Sequence, residues 1–145
     1  MADLFERILL LKRTPVFSAV MTGDLRLVAQ ELTEEAFFAG ERVFDINDPS
    51  DRLYLITDGR IGISLHADPA VKDFIATLGP RECFGEMGLF DDQLRSATAH
   101  VLEDTRLLAL DKGKLLGILQ AYPALGLGVI RSLSERLRAT NKKVS

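Results

Sequence analysis

At 145 residues and 47% hydrophobic content, the chain can bury one ordinary core and not two, so a single domain over residues 1–145 is expected. Its 18 basic and 21 acidic side chains leave a formal charge of -3, which excludes a general field for gathering nucleic acid or an anionic bilayer; an anionic ligand has to be held locally. The one cysteine, Cys83, excludes an internal disulfide, and the apolar run Ile8 to Leu11 is too short for a signal peptide or a membrane span, which points to a cytoplasmic protein or module.

Residues 1–34 read as two helices. Leu4, Phe5, Ile8, Leu9 and Leu11 recur at helical spacing, and Thr14-Pro15 ends that run. Thr22 is placed to cap a second helix reaching about Leu32, with Leu25, Val28, Ala29 and Leu32 along one face. Over 35–110 the texture changes to short β-prone runs between turn formers: 35–39, 42–46, 52–57, 60–66, 71–78, 96–102 and 105–110. Asp58-Gly59 predicts a tight hairpin and Glu103-Asp104 a further break. Short strands with no helix between them predict an antiparallel sandwich or barrel rather than a parallel sheet. Helical spacing returns over 111–145. One short helix carries Leu115, Leu116 and Leu119; after Tyr122-Pro123 a final helix places Leu125, Val129, Ile130, Leu133 and Leu137 on one face, as packing first and a dimer seam second. Its glycines, Gly126 and Gly128, weaken intrinsic helicity, so it has to lean on tertiary contacts.

The segment 79–98 carries the chemistry. It is too rich in glycine and charge for a core strand, yet Phe84, Met87, Leu89 and Phe90 are too apolar for a free loop, which predicts a turn of helix folded back on the sheet. A helix starting near Gly85 would aim unpaired amides at an anion. Arg95, at the mouth of the next strand, can clamp the same anion with its guanidinium fork, and Ser96 adds a hydroxyl. Glu86 would repel a bare phosphate, so its natural partner is a hydroxyl beside one, such as a ribose 2′-OH.

Phe84 to Thr98, FGEMGLFDDQLRSAT, resembles the phosphate-binding cassette of the cyclic nucleotide-binding domain family. FFAGERVFDINDPSDRLYLITDGRIGI is similar to the family's opening strands, and YPALGLGVIRSLSERLRATN to the long helix that follows, especially in the catabolite-activator group. The resemblance implies a mainly β fold with flanking α-helices. Its centre is an antiparallel double-stranded β-helix, a jelly-roll-like β-roll with cassette 84–98, a short cassette helix and two C-terminal helices. It implies that Arg95, Ser96, and the amides of Gly85 and Ala97 hold a cyclic phosphate. It also implies that Glu86 and Gly85 take the ribose, and that Leu78, Met87, Thr98, Thr140 and Asn141 wall the purine, with Arg136 as a secondary contact. Thr98 reads equally well as an ordinary strand threonine. The ligand implied is cAMP ahead of cGMP, because Ser96 stands where guanine-preferring members often carry threonine, and no other cofactor is implied.

Three positions depart from the family's pattern. Asn47 replaces a frequent glycine and is suited to a left-handed turn. Leu94 replaces a proline, which loosens the loop. Arg81 replaces a glycine, so the turn into the cassette is expected to change shape or avoid positive φ.

His66 and His100 read as solvated strand residues, Cys83 as a small buried hydrophobe, and Asp45, Asp48, Asp51, Asp91 and Asp92 as turn residues without metal-loop spacing. No base or metal cluster suited to phosphodiester hydrolysis is evident, so the protein reads as a sensor and not an enzyme. Lys142 and Lys143 are too little for duplex recognition. The expected partners are the cyclic nucleotide and either a second copy or an effector, with no direct nucleic acid and no membrane insertion. A β-roll that has kept its fold and lost its ligand, serving as an interaction or dimerisation module, is the alternative.

Overall fold

The computed structural model describes residues 3–66, 68, 70–86 and 88–144. They divide into two compact units: Met1–Leu32 with Gly113–Ser145, and Thr33–Lys112.

The helical unit draws on both ends of the chain. Helix α1 (Leu4–Arg13) starts at Asp3, whose carboxylate accepts from the Glu6 amide at 2.8 Å. A 3-10 turn, Pro15–Phe17, leads to α2 (Thr22–Ala29). Thr22 is the first helical residue rather than the cap; Met21 holds that position with no side-chain bond. At the other end of α2, Arg7 donates to the carbonyls of Ala29 and Leu32 at 3.3 and 3.0 Å, supplying partners that the helix terminus lacks. Helix α3 (Lys112–Ala121) is followed by α4 (Pro123–Val144). The first half of α4 packs on the 3-10 turn and the residues after it. Ser132 Oγ accepts from the Ala19 amide and donates to the Gly128 carbonyl, both at 2.8 Å, and Val20 lies close against Gly128. Tertiary contact thus supports a glycine-weakened helix. No single helix among the described residues is long and apolar enough to cross a membrane.

The strand unit is an antiparallel sheet with the path β1-β6-β3-β4, to which β2 adds on β6 and β5 on β3. The strands are β1 (Thr33–Phe37), β2 (Arg42–Phe44), β3 (Arg52–Ser64), β4 (Phe74–Leu78), β5 (Cys83–Phe84) and β6 (Thr98–Asp111). Tyr54, Ile56, Ile61, Phe84, Ala99, Val101, Leu107 and Ala109 form the core inside the roll, with Phe44, Ile63 and Leu78 packed on it.

Two expected breaks are not breaks. The runs 52–57 and 60–66 are one strand, β3, and 96–102 and 105–110 are one strand, β6; the two pair along their whole length with register shifts around Asp58 and Arg60. Asp58-Gly59 is therefore an irregularity inside a strand and not a hairpin. Gly59 has φ 103°, and a Cβ there would lie 2.2 Å from Thr105 Oγ1. Local turn chemistry gave way to cross-strand pairing, and the bend it leaves lets both long strands curl around the core.

Candidate functional site

The strand unit carries a half-open cavity of about 210 Å³ lined by Phe44, Ile63, Leu78, Cys83, Phe84, Gly85, Glu86, Arg95, Ser96 and Ala97. Six of these were expected from the sequence: Leu78, Gly85, Glu86, Arg95, Ser96 and Ala97. Leu78 ends β4, Phe84 ends β5, and the polar members come from the connection between β5 and β6.

That connection contains no helix among its described residues. They form turns, bends and one isolated bridge, and Gly85 and Gly88 sit at φ 80° and 93°, outside the helical region. Leu89 is buried, and Lys112 Nζ donates to the Gly88 carbonyl at 2.9 Å and to the Asp91 carbonyl. The turn entering the segment keeps a left-handed residue despite its side chain: Arg81 has φ 73°. Its amide donates to Ile56 O at 2.8 Å, and Ile56 N donates to Glu82 O at 2.9 Å, which over-determine the backbone there.

Arg95 is the centre of the cavity wall. Its side chain is 3% exposed, Nη1 donates to Gly85 O at 3.0 Å, and Nη2 donates to Arg52 O at 2.8 Å. Its nearest carboxylate contact is long, 3.8 Å from Nη2 to Asp51 Oδ1, and Nε is buried with no partner. Burial pulls the Arg95 pKa below its ordinary value, with Asp51 and Asp48 opposing, and the guanidinium keeps its charge. Behind it, the Tyr54 phenol is pushed up by burial and by Glu35, against Arg52 and Arg95. The main chain of Arg95 is tied to the turn after β2: Asn47, at φ 74°, donates to Arg95 O at 2.9 Å, and Arg95 N donates to Asp48 O at 2.8 Å. Asn47 thus fills the left-handed position anticipated for it. Leu94, expected to loosen this region, pairs with Pro49 in an isolated bridge.

A second cavity, about 250 Å³, has Val43, Phe44, Asp48, Pro49, Asp51, Arg52, Tyr54 and Arg95 in its wall.

Thr98 does not reach the first cavity's lining. It is 1% exposed, and its hydroxyl accepts from Ile46 N at 2.9 Å and donates to His66 O at 3.2 Å, so its bonding capacity is committed to the main chain. Met87 lies outside the described residues. Arg136, Thr140 and Asn141 are exposed residues of α4 in the helical unit; the Thr140 hydroxyl donates to Arg136 O at 3.1 Å, within its own helix. Cys83 is half-buried in the cavity wall rather than lost in the core. His100 is buried, not solvated. Sequence reasoning missed Phe44 and Ile63, which look like ordinary strand hydrophobes. Among the described residues no group of three or more His, Cys, Asp or Glu side chains converges to hold a metal.

The site is thus an antiparallel roll that buries a charged, incompletely satisfied arginine in the wall of a largely apolar cavity. Residues 34–122 match the family model for the cyclic nucleotide-binding domain, and the chain belongs to that family. It is 28% identical over 136 residues to a CRP-like cAMP-activated global transcriptional regulator of Mycobacterium tuberculosis, covering 94% of this chain and 61% of the relative. It is 30% identical over 128 residues to the cyclic AMP receptor protein of Thermus thermophilus, covering 88% and 59%. The chain therefore spans about three-fifths of the length of these curated relatives. The N-terminal domain of a transcriptional regulator from Streptomyces coelicolor superposes with a TM-score of 0.82 at 32% identity, covering 92% of this chain and 95% of that one. Fold class and flanking helices follow the expectation from sequence.

Proposed function

We propose that the cavity of the strand unit binds a cyclic nucleotide, cAMP ahead of cGMP, and that occupancy is transmitted by repositioning the C-terminal helix. The observation that carries this is Arg95, a cation in the cavity wall whose side chain is 3% exposed and whose nearest acid contact is 3.8 Å away. A buried cation without a close counter-ion is costly, and an anion that pairs with it from the cavity offsets that cost. The exocyclic phosphate oxygens pair with Arg95, assisted by Ser96 and the amides of Gly85 and Ala97. Glu86, on the same wall, accepts from the ribose hydroxyl. Leu78, Ile63 and Phe84 supply apolar surface for the rest of the ligand. The preference for cAMP is supported by relatives named for cAMP. Binding, and not turnover, is the role assigned, in a cytoplasmic regulatory module.

On α4, Leu127, Ile130 and Leu137 are more than half exposed at helical spacing, which supports this face as the seam for a second copy.

The test is calorimetric titration with cAMP, cGMP and 5′-AMP. Cyclic nucleotides are expected to bind and 5′-AMP to bind weakly. Arg95→Ala is expected to weaken the cyclic ligand by about 2–5 kcal/mol, the scale for truncating one partner of a buried charge pair. Absence of heat with every nucleotide, on protein folded by circular dichroism, refutes the reading in favour of a ligand-free interaction module.

A further inference from the structure

Phe44 and Arg95 are the two residues common to the walls of both cavities. They are stacked: the guanidinium carbon lies 4.0 Å from the centre of the Phe44 ring, and 5.9 Å from that of Tyr54. The ring is braced, since Phe44 lies 6.1 Å from Tyr54 and 5.9 Å from Phe84, and those two stack on each other at 5.2 Å. The guanidinium is thus held on its face by an aromatic ring and on its edge by the carbonyls of Gly85 and Arg52, and the Arg95 main chain is held by Asn47 and Asp48.

A close carboxylate could also hold an arginine here, but it would neutralise the charge and compete with an incoming anion. A ring face attracts the cation through its quadrupole and occupies none of the N–H donors.

We propose that Phe44 is the positioning residue of Arg95, holding the guanidinium in its binding attitude before any ligand arrives. Its effect on nucleotide affinity rests on the function proposed above; the stack itself does not. Phe44 fixes the cation's place, and affinity follows because the ligand need not order it.

The stack is read first in ligand-free protein by NMR of the Arg95 Nε–H, assigned from its loss in Arg95→Lys. The resonance is expected to be shifted upfield by the ring current and slow to exchange with solvent. Phe44→Leu should abolish the upfield shift; Phe44→Tyr should keep it, and Phe44→Met serves as a second non-aromatic variant should leucine unfold the protein. In cAMP titrations Phe44→Leu or Phe44→Met should bind about 3- to 30-fold more weakly, with Phe44→Tyr close to the parent. An unshifted resonance in the parent, or parental affinity in the non-aromatic variants, overturns the role of Phe44. A parent that shows the shifted resonance and binds no nucleotide upholds the stack and overturns the proposed ligand instead.

Discussion

Asn47 and Arg95, far apart in the chain, are joined through their backbones, with the Asn47 amide donating to the Arg95 carbonyl at 2.9 Å. The bond exists because Asn47 adopts φ 74°, a conformation open to asparagine and glycine and unfavourable for a branched side chain. Asn47→Gly is expected to keep the melting temperature within a few degrees. Asn47→Val should lower stability by about 1–3 kcal/mol and weaken cyclic nucleotide binding with it. Denaturant melts and titrations of the two variants decide this, and equal behaviour of glycine and valine would count against it.

Gly85 is the second such position. At φ 80°, a Cβ would stand 2.7 Å from Arg95 Nη1 and 3.1 Å from Arg52 O. Gly85→Ala should displace the guanidinium and cost about tenfold in cyclic nucleotide affinity, equivalent to ~1.4 kcal/mol. Unchanged affinity in calorimetry would show that Arg95 tolerates displacement.

The bend in β3 carries a prediction for stability alone. Gly59 has φ 103° and faces Thr105, so Gly59→Ala combines backbone strain with overlap and should destabilise by about 2–4 kcal/mol. Urea unfolding measures it, and a loss under half a kcal/mol would contradict the bend as described.

His100 gives the pH dependence. It is 6% exposed, its ring lies 5.3 Å from that of Phe74, and Nε2 has no partner. Burial lowers its pKa, Arg42 and Lys72 lower it further, and Asp45 opposes them. The unfolded chain takes up the proton near the ordinary value of about 6.5, before the folded protein does. Stability should therefore fall as pH drops through that value and level off below the folded-state pKa. Melting temperatures from pH 7.5 to 5 should fall less steeply for His100→Gln than for the parent; parallel curves would rule out the histidine.

Half of the cavity lining was legible because those residues are neighbours in sequence: Gly85, Glu86, Arg95, Ser96 and Ala97 lie in one segment whose charge and glycine content set it apart from the strands around it. What escaped was what depends on distant pairing. Asp58-Gly59 and Glu103-Asp104 carry local turn signals, but β3 and β6 satisfy each other's backbone straight through them. The two-residue strand Cys83–Phe84 exists only through its pairing with Tyr54 and Leu55. Thr98 reads from sequence equally as a purine contact and as a strand threonine, and only the folded chain shows its hydroxyl bonded to the main chain of Ile46 and His66. Phe44 is indistinguishable in the sequence from any inward-facing strand residue; its meaning lies in what settles on its ring.

The wall position of Cys83 has a practical consequence. The chain contains a single sulfhydryl, and it borders the cavity. A thiol-reactive dye is therefore directed to one defined place on the unmodified protein, and comparing its labelling rate with and without cyclic nucleotide is a chemical test of occupancy.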